Sequence, residues 1–527
     1  MDQFTGQHMA QQTDIDLLEN FRQAVWGNPA ALAAQTAGQD GQPVLYIDLD
    51  HHLAALQVIF MEVRREEILV LREYQEAITE FRRNTGSYRN GACISGQARS
   101  GKSTFLAYAL IERLREQQPV AVQPSWSDEH GEYILFTQNG TSVHKWYDQT
   151  PIANHGSNLW LLCDTKENFQ GPTLAFARAK LKKTGPRIFI AASQANMGRK
   201  WAFRESIVVY YMDLWSLQDI RDLGSIFKYE PNIINSMTEL AIQYGSMPGV
   251  VTTILQDPGL EDFHRGVVME DVGKTLSDPT TVIKALLQVD NPPTGPSTVF
   301  FIRPYRDGDG IKRTMHEVLI PTPWLADQLV ISLNDNQKIE KANFVELLAS
   351  DKRTRSAAGW VYEATVHELL DQTTSITVRW YDGPPQTISF PRPLETRSTD
   401  PDLNSAPPFY WRPPRSNQAG IDGAIFAEDH VYLIQATISR NHPSPQNGIW
   451  KFWNDVPEDK RRLPWKLIFI GPSDDQINQA SAKYSRSLQY GAARTRSALE
   501  QDVVTKTDLP VGRFSFRPIN IPSVFEF

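Results

Sequence analysis

One stretch of eight residues, Gly96-Gln97-Ala98-Arg99-Ser100-Gly101-Lys102-Ser103, limits what this chain can fold into more than anything else in its 527 residues. It satisfies G-x-x-x-x-G-K-[ST] in full. Ahead of it, Gly91-Ala92-Cys93-Ile94-Ser95 reads as a short buried strand, and behind it an amphipathic helix is expected over Ser103–Gln117. The glycines let the backbone curl until successive N–H groups face an anion, and the start of the helix adds its partial positive charge. In that arrangement Gly96 to Thr104 cradle the phosphates of a nucleotide such as ATP. Lys102 reaches the β- and γ-phosphates, and Ser103 offers a hydroxyl to Mg2+. A glycine turn that caps a helix by chance is the plain alternative, and the strand and helix on either side speak against it.

Such a loop needs an acid beside it to complete the Mg2+ shell. Leu159-Trp160-Leu161-Leu162-Cys163-Asp164 supplies one, because an apolar strand ending in Asp164 delivers its carboxylate to the loop's side of a parallel sheet. Thr165 follows, where fast ATPases often carry Glu, and Glu167 should point elsewhere. Slow hydrolysis, or a switch, is the corresponding expectation. A third strand, Ile188–Ala192, ends at Ser193-Gln194, and Ser193 is a candidate to sense the γ-phosphate or to serve only as a turn residue. Arg199, Lys200 and Arg204, with Trp201 and Phe203, form a basic cluster that either supplies an arginine finger or is a solvated helix face. Gly245-Ser246-Met247-Pro248 reads as a helix stop.

Composition excludes several classes. With 41% hydrophobic and 22% charged residues, the chain belongs with soluble globular proteins. Lys+Arg 53 against Asp+Glu 61 leaves −8, which excludes a molecule basic enough overall to wrap nucleic acid by charge alone. Residues 345–527 hold 21 acids and 21 bases, so the excess lies ahead of them and a local basic patch there stays open. Cys93 and Cys163, each in an apolar run, are too few for a disulfide framework or a structural zinc site.

Met1–Asp16 lacks the order of an export signal, and no stretch reaches the ~18–20 apolar residues of a membrane span. Asn139-Gly140-Thr141 therefore reads as a turn rather than a glycosylation acceptor. The expectation is an intracellular protein, cytoplasmic or nuclear, without a membrane partner; the sequence leaves a homo-oligomer open.

Residues 1–60 have weak periodicity and read as a header, with Ala30–Gln42 as a flexible stretch. From Leu53 to Arg83 the spacing of Ile68, Leu71, Tyr74, Gln75 and Ile78 predicts helix, and Glu132–Tyr147 predicts a hairpin. Strands alternate with helices, including Leu174–Lys183, as in a mainly parallel α/β sheet with helices on both faces. Residues 61–335 make this domain, with a helical extension over Leu217–Leu287 and a strand at Thr298–Arg303. A polar boundary at Asp335–Lys341 precedes a smaller α/β domain over 345–527. It opens with a helix, Ala357–Leu370, and continues with strands near Ser375–Trp380, Ala424–Phe426, Val431–Ala436 and Leu467–Ile470.

Three pieces of that domain carry polar chemistry. Glu363 lies on the helix, Asp422 opens a strand, and Gln435 and Thr437 lie two apart on another strand and so on one face. Across a hairpin Asp422 and Gln435 can converge on one Mg2+, a hard cation that prefers oxygen ligands and suits phosphodiester hydrolysis. Acids and amides near strand ends are common, however, and these residues alone do not separate a metal site from ordinary strand ends. His442, before Pro443, is either a proton carrier or a loop-stabilising residue.

Taken together, the motifs resemble the Crinkler and retrotransposon-hot-spot type proteins of fungi, oomycetes and trypanosomes, over residues 65–527. Those chains join a P-loop NTPase module, similar to the STAND and AAA-like classes, to a restriction-endonuclease-like domain. Val70-Leu71-Arg72-Glu73-Tyr74 and Tyr210-Tyr211-Met212-Asp213-Leu214-Trp215-Ser216 are similar to family landmarks. Gly245-Ser246-Met247-Pro248 resembles the family's GxP motif, with Gly249 where a basic residue often follows. In the endonuclease-like part, Glu363, Asp422, Gln435-Ala436-Thr437, Ser439 and His442-Pro443 match the family's order. The usual core is D…[DE]-x-K, and here Gln435 stands for the acid and Thr437 for the lysine; Lys451 or Lys466 are candidates to replace that charge. The L-x-L-F-L-A-K translocation motif of oomycete Crinklers is absent from residues 1–60, which gives no support to delivery into a host.

Two readings follow. In one, Lys102, Ser103 and Asp164 bind MgATP and gate a tail in which Glu363, Asp422 and Gln435 gather Mg2+ at a DNA phosphodiester, in conflict or immunity. In the other, the chain is a nucleotide-operated scaffold whose tail only docks onto nucleic acid or protein. A small-molecule kinase fits the loop but leaves the residues after 345 without a role.

Overall fold

The computed structural model describes residues 12–37, 44–61, 63–83, 86–124, 131–164, 172–180, 185–193, 201–202, 204–287, 297–307, 310–332, 338–373, 375–380, 384–389, 403, 406–413, 421–438, 446–471 and 511–515. It divides into two compact units. Unit 1 holds Met1–Ala241, Ser246–Arg265 and Thr281–Val318, and unit 2 holds Ile242–Gly245, Gly266–Thr280 and Leu319–Phe527.

Unit 1 begins with α1 (Gln12–Val25), β1 (Gln35–Ala37), β2 (Val44–Asp48), α2 (Leu53–Ile59), β3 (Glu67–Leu69) and α3 (Arg72–Arg82). Leu18, Phe21 and Val25 of α1 are fully buried in the same core as the phosphate-loop helix, so these header residues pack as part of it. The helical spacing read across Leu53–Arg83 is broken by β3, whose Ile68 pairs with Ile47 of β2. Long-range strand pairing overrides the local period there.

The main sheet follows: β4 (Gly91–Gly96), α4 (Lys102–Arg115), β5 (Val120–Gln123), β6 (Glu132–Thr137), β7 (Gly140–Lys145), β8 (Trp160–Asp164), α5 (Leu174–Lys180), β9 (Arg187–Ser193) and β10 (Val209–Tyr211). The seven strands lie in the order β10-β4-β9-β8-β5-β6-β7. From β10 to β5 every neighbouring pair is parallel, and β6 and β7 add the expected antiparallel hairpin. Trp160 and Leu162 of β8 face the core that contains α4, while Leu161 and Cys163 on the opposite face are equally buried. Both faces are therefore covered, which is why these strands read as continuous apolar runs.

Helices α6 (Leu217–Ile226), α7 (Pro231–Tyr244), α8 (Pro248–Gln256), α9 (Leu260–Ser277) and α10 (Pro279–Leu287) fill the helical extension. Gly245, at φ +93°, ends α7 before Pro248 starts α8, as the Gly-then-Pro signal requires. A two-stranded sheet, β11 (Phe301–Asp307) and β12 (Gly310–Leu319), closes this part of the chain.

Unit 2 contains α11 (Pro323–Ser332), α12 (Lys338–Ala349), α13 (Arg355–Gln372), β13 (Ser375–Trp380), β14 (Gln386–Ser389), β15 (Phe409–Trp411), β16 (Gly423–Phe426), β17 (Val431–Ala436), α14 (Gln446–Asp455), α15 (Glu458–Arg461), β18 (Trp465–Gly471) and β19 (Val511–Ser515). Its seven strands run β14-β13-β19-β18-β17-β16-β15. The pairs β17–β18 and β18–β19 are parallel and the others antiparallel, so this sheet is mixed. No helix among the described residues is long and apolar enough to cross a membrane.

Candidate functional site

In unit 1 the chemistry gathers at the C-terminal edge of the parallel strands. β9 lies between β4 and β8, so Gly96 pairs with Ser193 and Asp164 with Ala191. The loop, Asp164 and the backbone of Ser193 thus meet on one edge; the Ser193 side chain lies outside the described residues.

Gly101 caps α4 in the left-handed region, at φ +89°. A Cβ there would come within 2.6 Å of the Tyr74 hydroxyl, which donates to Gly101 O at 2.9 Å. Trp215 Nε1 donates to Ser100 O at 2.8 Å, so two aromatic donors from outside the motif fasten the loop. Arg99 also takes a positive φ, 60°, and its carbonyl accepts from Gly249 N at 3.3 Å. A Cβ at position 249 would lie 2.9 Å from Arg99 Cβ. Glycine at position 249 therefore has a steric reason: α8 starts against the loop.

Lys102 is buried, and its Nζ donates to Gln97 O at 2.6 Å and Gly96 O at 3.4 Å. Burial lowers its pKa to about 8, with Asp164 opposing the shift. Ser103 Oγ donates to Asp164 Oδ1 at 2.9 Å, which joins the two oxygen donors expected of one Mg2+ shell. Ser100 Oγ is a buried hydroxyl without a hydrogen-bond partner among the described residues. The side chain of Gln97 turns away from the cradle: its amide donates to Ser297 O at 2.7 Å and accepts from Ile302 N at 3.4 Å. Its backbone alone is left for a phosphate contact. Ala98, Ser103 and Thr104 are half-buried at the loop and the start of the helix. Thr165, Glu167, Arg199, Lys200 and Phe203 lie outside the described residues; Trp201 is buried, and exposed Arg204 is 3.5 Å from Glu205.

Unit 2 brings Asp422 and Gln435 together. Gly423 pairs with Ile434, and one step further Asp422 Oδ2 accepts from Gln435 Nε2 and from Ala436 N, each at 2.6 Å. Burial pushes the Asp422 carboxyl up to about 7 against those two bonds. Glu363 is raised well above the carboxylate range by burial and then by Asp422, while Arg412 opposes. Sequence reasoning missed three residues here. His367, one turn on from Glu363, places Nε2 3.5 Å from Glu363 Oε1 and bonds Tyr410 through Nδ1. Arg412 donates to Asp327 Oδ1 at 2.6 Å.

Gln435 Oε1 is a buried oxygen with no partner among the described residues, so the amide retains an oxygen for a cation. No group of three or more His, Cys, Asp or Glu side chains among the described residues could by itself hold a metal ion. A cation here would rest on Asp422 and Glu363 supplemented by that amide. The candidates for the missing lysine do not fill its place. Lys466 pairs with Tyr432, three residues before Gln435 and so on the other face of the sheet, and its Nζ lies over the Tyr432 ring. Lys451 is exposed on α14. Thr437 is buried, and Ser439 and His442 lie outside the described residues.

No protein-family model matches this chain, and no curated protein does. Among solved structures, AMPPCP-bound DnaA from Aquifex aeolicus is similar over 59% of this chain and 92% of that one, with 15% identity and a TM-score of 0.26.

Proposed function

We propose that the chain is an ATP-binding, ATP-hydrolysing P-loop module joined to a nuclease-like domain that acts on or docks to DNA, in a Crinkler or retrotransposon-hot-spot type of conflict or immunity role. The observation that carries the first half is the Ser103–Asp164 bond at 2.9 Å beside a glycine loop closed by left-handed Gly101. Ser103 and Asp164 would hold Mg2+, which when bound offsets the charge of the phosphates. Lys102 would leave the carbonyls of Gly96 and Gln97 for the β- and γ-phosphates, and the loop amides would orient them. Fluorescent-ATP titration tests this: Lys102→Ala should abolish binding, and unchanged affinity would overturn the assignment.

For unit 2 the supporting observation is the pairing of Asp422 with Gln435, next to Glu363. These residues would hold a divalent cation, whose role when bound is to polarise a phosphodiester. Plasmid nicking in Mg2+ and ATP should disappear in Asp422→Ala. A second reading, a nucleotide-operated scaffold with an inactive tail, is favoured by Thr437 and by the orientation of Lys466; equal nicking by wild type and Asp422→Ala, or none by either, selects it.

A further inference from the structure

We propose that Gln97 is a positioning residue through which the β11–β12 sheet holds the phosphate loop in its phosphate-binding shape, so that sheet docking and nucleotide binding are coupled. The inference rests on the nucleotide reading of residues 96–103 and adds how that site is controlled. Gln97 is the second residue of the motif, yet its side chain points out of the loop and the residue is only 1% exposed. Its amide donates to Ser297 O at 2.7 Å and accepts from Ile302 N at 3.4 Å, partners 200 and 205 residues further along the chain. Ser297 Oγ in turn accepts from Val299 N and Phe300 N, and residues 299–302 are fully buried. The anchor is therefore a packed turn that runs into β11.

The same sheet is pinned to the segments that fasten the other side of the loop. Arg306 of β11 pairs with Asp213, two residues before Trp215, whose indole donates to Ser100 O. Arg313 of β12 reaches Glu73, the neighbour of Tyr74, whose hydroxyl donates to Gly101 O. Asp213 N donates to Glu73 Oε1 at 3.4 Å, which joins these two supports. Sheet and loop thus share one frame, and Gln97 is the direct bridge between them. Inside the bridged stretch lies Arg99 at φ 60°, a conformation that a non-glycine residue keeps only where its surroundings hold it.

Gln97 also touches the chemistry at its other end. Its own carbonyl accepts from Lys102 Nζ at 2.6 Å, the amine assigned to the β- and γ-phosphates. Fixing the side chain at residues 297–302 therefore fixes the peptide that holds this lysine. Freed of the anchor, the loop samples other shapes, and its apparent affinity falls by the fraction that remains competent. Linkage makes the effect reciprocal: bound MgATP holds the sheet down by the same factor.

The test uses the full chain and MgATP. By calorimetric titration, Gln97→Ala should bind about tenfold more weakly than wild type, the worth of one net hydrogen bond. A damaged loop alone would also weaken binding, so amide hydrogen exchange supplies the second readout. In wild type, saturating MgATP should slow exchange over residues 301–307 and 310–319 by about the same tenfold. In Gln97→Ala at equal saturation that slowing should be lost. No slowing in wild type overturns the inference, and this outcome does not depend on whether the variant folds. Wild-type affinity in a folded Gln97→Ala chain overturns it too, as does slowing of equal size in both chains. If wild type binds no MgATP, the nucleotide reading itself fails and the inference falls with it; if wild type binds and Gln97→Ala binds equally well, the inference alone is lost.

Discussion

Gly101 shows how much a single backbone angle controls. At φ +89°, with the Tyr74 hydroxyl where a Cβ would sit, it admits no other residue without strain. Gly101→Ala should cost about 2–3 kcal/mol in a denaturant melt, and a loss below ~0.5 kcal/mol would contradict the assigned conformation. Glu73 offers a pH test. Its 2.5 Å contact with Arg313 argues for the charged form, but burial, Asp213 and Glu76 outweigh that and raise its pKa to about 7. Between about pH 4.5 and 7 the folded state then holds more proton than the unfolded chain, so this group's contribution to stability falls as pH rises. Relative to Glu73→Gln, wild type should lose up to ~3 kcal/mol from pH 4.5 to 8; an equal pH slope in both would refute the shift.

At the scale of elements, the hairpin β11–β12 is clamped to the body of unit 1. Arg313 of β12 reaches Glu73 and Glu76 on α3, and Arg306 of β11 pairs with Asp213. Arg313 is 15% exposed beside an 11% exposed Glu73, whereas Arg306 is 46% exposed. Arg313→Ala should therefore cost about 3 kcal/mol and Arg306→Ala no more than ~1 kcal/mol in urea melts. Reversal of that order would mean that the hairpin is held elsewhere.

None of these clamps was legible in the sequence, because their partners lie in distant segments. What was legible was local. Ser375–Trp380 and Val431–Ala436 match their strands to the residue, since alternating or continuous apolar runs carry that information within six positions. β3 was hidden inside a helical period, and β15 inside a proline-rich stretch, because each exists only through its neighbour in the sheet. The phosphate loop was readable for the same local reason. The contacts of Tyr74, Trp215 and Gly249 with the loop, of His367 with Glu363 and of Arg412 with Asp327 were not readable, because the partners come from remote parts of the chain.

For the whole molecule, each unit has its own sheet and buried residues, so a ligand of unit 1 should act on that unit's stability first. MgATP at about 100 times its dissociation constant stabilises a binding-competent fold by ~2.7 kcal/mol. Scanning calorimetry should show a transition that moves up with MgATP in wild type and stays still in Lys102→Ala. The central claim is more direct than any melt: residues 96–103 hold a nucleotide's phosphates. Isothermal titration of the full chain with MgATP measures it. The account predicts one saturable site per chain that vanishes in Lys102→Ala and weakens in Asp164→Ala; no heat from wild type, or the same isotherm from Lys102→Ala, would contradict it.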